Sequence, residues 1–108
     1  MSYKISPIEN FKREAKRLIK KYPSLRKELQ ILGEQLSENP VLGSPLGYNC
    51  YKIRLAISSK GKGKSGGARI ITCVYVAGNT IFLLSIYDKS EQEDISDKEL
   101  KNLLKQIN

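Results

Sequence analysis

Histidine is absent from this chain, cysteine occurs only twice, and no Asp or Glu falls between Asn39 and Tyr87. Each gap excludes something. Without histidine a zinc-type site lacks its usual nitrogen ligands, and proton transfer must rely on other groups. Cys50 and Cys73 form no C-x-x-C motif. They are too few for a disulfide framework and read as small buried hydrophobes in a reducing compartment. Residues 1–18 carry charges throughout, which leaves no apolar core for a secretory signal. The apolar run at residues 81–84 is far too short to span a bilayer. The expectation is a soluble cytoplasmic protein with no membrane segment, no metal and no small-molecule cofactor.

At 108 residues, 40% hydrophobic and 28% charged, the composition suits one globular domain, residues 1–108, with a modest core. The net charge of +8 and a pI near 9.6 favour an acidic partner, whether nucleic acid or an acidic protein segment. The cations concentrate where the acids are missing. Lys52, Arg54, Lys60, Lys62, Lys64 and Arg69 all fall in the acid-free stretch, and residues 60–69 alternate Lys with Gly between two strand-like runs. Glycine lets such a loop take positive φ and approach a polyanion closely, while Lys and Arg supply the charge.

Gly63-Lys64-Ser65 has the ending of a phosphate-binding P-loop, but the position where that motif needs its first glycine is Ser58. The residues that follow, Ile70-Ile71-Thr72-Cys73-Val74, read as a strand rather than a helix. A nucleotide site is therefore excluded.

The periodicity gives the order β-α-α-β-β-β-α. Residues 3–5 suit a short strand. Ser6-Pro7-Ile8-Glu9 has the pattern of a helix start, with Ser6 as N-cap and Glu9 closing a capping box. Ile8, Phe11, Ala15, Leu18 and Tyr22 then form one apolar stripe, and Leu25, Leu29, Leu32 and Leu36 form a second after the break at Pro23. Residues 41–49 read as loop. Beyond them the period falls to two, with Tyr51, Ile53, Leu55 and Ile57 on one face and Lys52, Arg54 and Ser58 on the other. Residues 68–76 and 80–87 complete an antiparallel meander. Ser96-Asp97-Lys98-Glu99 is a second capping box, opening a helix with Leu100, Leu103, Leu104 and Ile107 on one side. The fold class is α+β, a helical hairpin packed on a small antiparallel sheet.

Strand alternation places Lys52 and Arg54 on a shared face with Arg69 beside them on the return strand, a basic patch built partly on rigid backbone. The lysine-rich face of the first helix is most simply a solvated one. The acidic segment 88–97 is positioned to pair with the basic loop within the molecule, or to cap the last helix.

Tyr51-Lys52-Ile53-Arg54, Gly63-Lys64-Ser65-Gly66-Gly67-Ala68-Arg69-Ile70, Leu83-Leu84-Ser85-Ile86-Tyr87-Asp88-Lys89-Ser90-Glu91 and Asp94-Ile95-Ser96 occur in that order. In these segments, and in the helical hairpin before them, the chain resembles the RelE/ParE superfamily of type II toxins. The K-x-R, G-K-S-G-G-x-R and Y-x-K patterns point to its RelE-like, mRNA-interferase branch. The resemblance implies a microbial RNase toxin fold, a cognate antitoxin partner, and ribosome-dependent cleavage of mRNA in the A site by attack of the 2′-hydroxyl on the adjacent phosphate. On that reading Lys62 or Lys64 is the base, its pKa lowered by repulsion from neighbouring cations. Arg69 and Arg54 stabilise the phosphorane. Tyr87 and Lys89 stack on a base, donate a proton or position the substrate, and Lys52 and Lys60 bind RNA. The superfamily also contains ParE-type gyrase inhibitors that do not cut RNA, and an inactive member acting only as a binding module would carry almost the same pattern.

Overall fold

A computed structural model of the chain describes residues 2–61, 63 and 66–107. The two leucine-rich stripes become α1 (Glu9–Lys21) and α2 (Leu25–Glu38). Phe11, Ala15 and Leu18 from α1 and Leu25, Leu32 and Leu36 from α2 are buried against one face of a sheet, where Ile53, Ala68, Ile70, Ile81 and Ile86 meet them. Leu18, Leu25 and Leu36 are fully enclosed. Each such side chain contributes about 1.5–3 kcal/mol of burial.

The first helix starts later than its sequence signal suggests. Ser6 and Pro7 stay extended in β1 (Lys4–Pro7), and the residue that caps α1 is Ile8, with no side-chain hydrogen bond. Ladder pairing explains the delay. β1 runs parallel to β5 (Thr80–Asp88) up to the Pro7–Leu83 pair, and the Ile8 N–H continues the ladder with 3.0 Å to the Leu83 carbonyl. Proline fits because β1 lies at the sheet edge, where a missing N–H leaves no gap.

β3 (Cys50–Leu55), β4 (Ala68–Tyr75) and β5 form the expected antiparallel meander. A further strand, β2 (Ser44–Gly47), pairs with β3 in a segment whose glycines and proline suggested only loop. The glycines mark a close approach instead. Gly43, at φ 98°, lies where a Cβ would sit 2.4 Å from the Lys52 carbonyl oxygen. The sheet thus has five strands in the order β1-β5-β4-β3-β2, antiparallel except at the β1–β5 pair.

The opposite face of the sheet holds a second core of Cys50, Ile71, Cys73, Leu84 and Tyr87. It is covered by Leu100 and Leu103 of α3 (Asp97–Leu104). α3 opens on the expected capping box, with Ser96 Oγ accepting from the Glu99 N–H and Glu99 from the Ser96 N–H. A bulge in β5, between the Ile71–Ser85 and Thr72–Leu83 pairs, falls just beyond the end of β1. There Glu14 of α1 replaces the missing strand, accepting from the Ser85 hydroxyl at 2.8 Å and the Ile86 N–H at 3.2 Å.

Candidate nucleic-acid interface

The β3–β4–β5 register assembles the site. Arg54 lies directly opposite Arg69, and Arg69 directly opposite Tyr87. Cross-strand partners share a sheet face, so these side chains form one row across three strands. Lys52, two residues before Arg54, lies on the same face. The shared face expected for Lys52, Arg54 and Arg69 is therefore present, and it is the face that α3 partly covers.

Exposure grades along the row. Arg54 is exposed and Lys52 half-buried, while Arg69 and Tyr87 are 4% and 3% exposed. The Arg69 guanidinium donates to the Ala68 carbonyl at 3.2 Å. The Tyr87 hydroxyl is buried and has no hydrogen-bond partner among the described residues. Burial pushes its pKa up to about 12, with the negative charges of Asp94 and Glu99 adding to the rise and Arg69 opposing it. The phenol is thus a protonated donor at neutral pH.

Two acidic residues organise the surrounding cations, as their place in the acidic segment suggested they can. Asp94 Oδ1 accepts from Lys52 Nζ at 3.2 Å and from the Ile95 N–H at 2.8 Å. The Ile95 N–H, then Lys52, hold its carboxyl below the usual carboxylate range, and Lys89 adds a weaker pull. Lys89 also lies 3.9 Å from Glu93, and its N–H donates to the Gly67 carbonyl at 3.0 Å. No Cβ fits at Gly67, which would bring one within 2.2 Å of the Leu55 carbonyl oxygen.

Lys60 has a different occupation from the RNA contact expected of it. After β3 the chain makes a short 3-10 turn, Ser58–Lys60, ending on Gly61 in the left-handed region. Ser58 N–H donates to Glu28 and Ser59 N–H to Ser24 Oγ, which ties the turn to the start of α2. This turn directs Lys60 inward, where its ammonium pairs with the fully buried Asp88 and donates to Ser90 Oγ at 3.0 Å. Asp88 also accepts from the Tyr22 hydroxyl at 2.9 Å and from the N–H and hydroxyl of Ser90. Burial alone would raise the Asp88 carboxyl; the hydrogen bonds from Lys60, Ser90 and Tyr22 outweigh it and hold the pKa well below the usual range. Lys60 therefore anchors the base of the basic loop. Lys62 and Lys64, the residues expected to supply the base, lie outside the described residues.

Asp88 and Asp94 were visible in the sequence only as members of an acidic run. Their separate roles depend on the end of β5. Asp88 is its last residue, opposite Ala68, and so sits inside; Asp94 follows the turn and reaches the outer surface. Arg17 closes that turn onto α1 through Glu91 at 2.7 Å.

A family model described as the RelE toxin of the RelE/RelB toxin-antitoxin system matches residues 4–107. Among solved structures, a mutant of the E. coli toxin RelE in the free state is 21% identical and superposes with a TM-score of 0.66, covering 100% of both chains. The isolated E. coli RelE toxin is 19% identical, with a TM-score of 0.64 over 96% of this chain and 98% of that one. The intact E. coli RelBE toxin-antitoxin complex matches at 21% identity and a TM-score of 0.62, over 81% of this chain and 96% of that one. These identities establish a shared fold, and the family match adds descent: this chain belongs to the RelE toxin family of toxin-antitoxin systems.

Proposed function

We propose that this chain acts as a single cytoplasmic toxin domain, residues 1–108, that cleaves translated mRNA on the ribosome and is silenced by a cognate antitoxin. The observation that carries the reading is the row Arg54–Arg69–Tyr87 across three adjacent strands, with Lys52 on the same face. A phosphodiester laid along it meets Lys52 and the exposed Arg54 guanidinium, suited to bidentate phosphate binding, and RNA binding must open the site to the buried Arg69 and Tyr87. In the proposed reaction a base removes the 2′-hydroxyl proton, the 2′-oxygen attacks phosphorus, and the 5′-oxygen leaves with a proton from an acid. Arg69 and Arg54 stabilise the charge that builds on the phosphoryl oxygens. Tyr87 is assigned the acid because its phenol keeps its proton at neutral pH and lies in the row beside Arg69. Lys62 or Lys64 is assigned the base, and Lys52 and Lys89 hold the RNA backbone.

The same face explains how an antitoxin would act. An acidic segment laid over Lys52, Arg54 and Arg69 would remove the phosphate site, and their association would weaken with salt. Incubating the purified chain with programmed ribosomes and sequencing RNA ends tests the chemistry. The proposal predicts upstream fragments ending in a 2′,3′-cyclic phosphate and downstream fragments with a 5′-hydroxyl. Intact message beside inhibited gyrase would instead identify a non-cleaving toxin.

A further inference from the structure

Cys50 and Cys73 are direct partners in the β3–β4 ladder. The neighbouring pair, Asn49 and Val74, carries the ladder hydrogen bond, Val74 N–H to Asn49 carbonyl at 2.9 Å. Hydrogen-bonded and non-hydrogen-bonded pairs alternate along an antiparallel ladder, so the cysteines occupy a non-hydrogen-bonded pair. There Cα atoms lie about 4.5 Å apart and side chains are closest, a separation within the range that a disulfide spans. The two thiols also converge. Both donate to the Tyr48 carbonyl, Cys50 at 3.5 Å and Cys73 at 3.9 Å. Both are free. Cys50 is enclosed, whereas Cys73 is 9% exposed and lines an open cleft with Asn49, Val74, Phe82 and Ile107.

From this geometry we propose that Cys50 and Cys73 form a reversible cross-strand disulfide when the chain meets a low-molecular-weight disulfide. The Cys73 thiolate attacks one sulfur of the small disulfide and releases one small thiolate, leaving a mixed disulfide on Cys73. Cys50 then loses its proton and attacks the Cys73 sulfur, releasing the second small thiol. In sum two cysteine thiols are oxidised to one disulfide, and one small disulfide is reduced to two thiols. The order of attack follows from access, Cys73 being the more exposed of the two. Once Cys73 is ionised the neighbouring Cys50 thiol can donate to its sulfur, which holds Cys73 below the ordinary thiol range, with burial opposing, and Cys50 above it, with burial adding to the rise. The bond would tie the base of the hairpin that carries Lys52, Arg54, Lys60 and Arg69, on the same sheet face as Lys52 and Arg54. The inference does not depend on the proposed nuclease activity.

The test incubates the purified full-length chain with oxidised glutathione, then denatures it, alkylates free thiols and measures intact mass and the Cys50–Cys73 peptide link. Expected is loss of both alkylatable thiols in a monomer, a decrease of about 2 Da, and full reversal by dithiothreitol. Cys50→Ser should stop at a glutathione adduct on Cys73, and Cys73→Ser should react many-fold more slowly. Persistence of two free thiols, a stable glutathione adduct on the wild type, or disulfide-linked dimers in place of the internal bond would each overturn the proposal. The wild-type experiment decides it even if a serine variant fails to fold.

Discussion

Lys52 in β3 and Lys60 in the turn after it each meet an aspartate, Asp94 beyond β5 and Asp88 at its end, yet the two pairs have opposite characters. Lys60 and Asp88 are 9% and 0% exposed, while Lys52 and Asp94 are 24% and 61% exposed. The first pair has its remaining hydrogen-bonding capacity met by Tyr22 and Ser90. The second is open to solvent. Breaking a buried pair leaves a charge without water or partner, whereas an exposed pair can be exchanged for another anion at little cost. Of the two lysines, Lys60 is therefore the one suited to fixing the loop and Lys52 the one suited to exchanging its carboxylate for a phosphate.

The largest effect is expected where the comparison is sharpest. Asp88→Ala strands the Lys60 ammonium in the interior and should destabilise the chain by about 3–5 kcal/mol in urea unfolding. A loss below 1 kcal/mol would mean that the pair is not the loop's anchor. The pH dependence has a fixed sign. The folded pKa of Asp88 is depressed, so its contribution is complete above the unfolded carboxylate pKa of ~3.9 and is lost as pH falls from there through the folded value. Asp88→Asn should flatten that acid limb.

Arg69→Ala should reduce RNA cleavage by roughly 100-fold or more, the scale for losing one transition-state donor. Because Arg69 is itself buried, urea unfolding of the same variant separates lost chemistry from lost structure. Tyr87→Phe divides the two more cleanly. It removes a buried hydroxyl with no described partner, so stability should stay within about 1 kcal/mol of wild type, while cleavage falls by roughly 100-fold if the phenol is the acid. Unchanged cleavage would reassign the proton donor.

The smallest effect should come from the exposed pair. Asp94→Asn frees Lys52 and removes a negative charge near Tyr87. It should tighten RNA binding by a few-fold, corresponding to less than about 1 kcal/mol, and should lower the Tyr87 pKa as read by NMR of labelled tyrosine. A loss of stability comparable to that of Asp88→Ala would erase the distinction between the pairs.

The parts of this arrangement that sequence made legible are those fixed by local periodicity and caps. The leucine stripes, the Ser96 capping box and the face shared by Lys52, Arg54 and Arg69 follow from repeats of 3.6 and 2 residues. The parts that were hidden depend on distant chain. Ser6 carries a capping pattern, but parallel pairing with β5 keeps it extended. β2 is masked by Gly43, Pro45 and Gly47, residues that suit an edge strand with close backbone approach but resemble loop. Lys60 reads like its neighbours in the Lys-Gly run until the 3-10 turn directs it at Asp88, a residue 28 positions away.

Induction in cells of the wild type and of Arg69→Ala, with 5′ ends mapped on a reporter message with and without its start codon, tests the central claim most directly. The account predicts new ends with the wild type only, and only on the translated message. Equal cutting of the untranslated message, equal cutting by Arg69→Ala, or growth arrest with no new ends would contradict it.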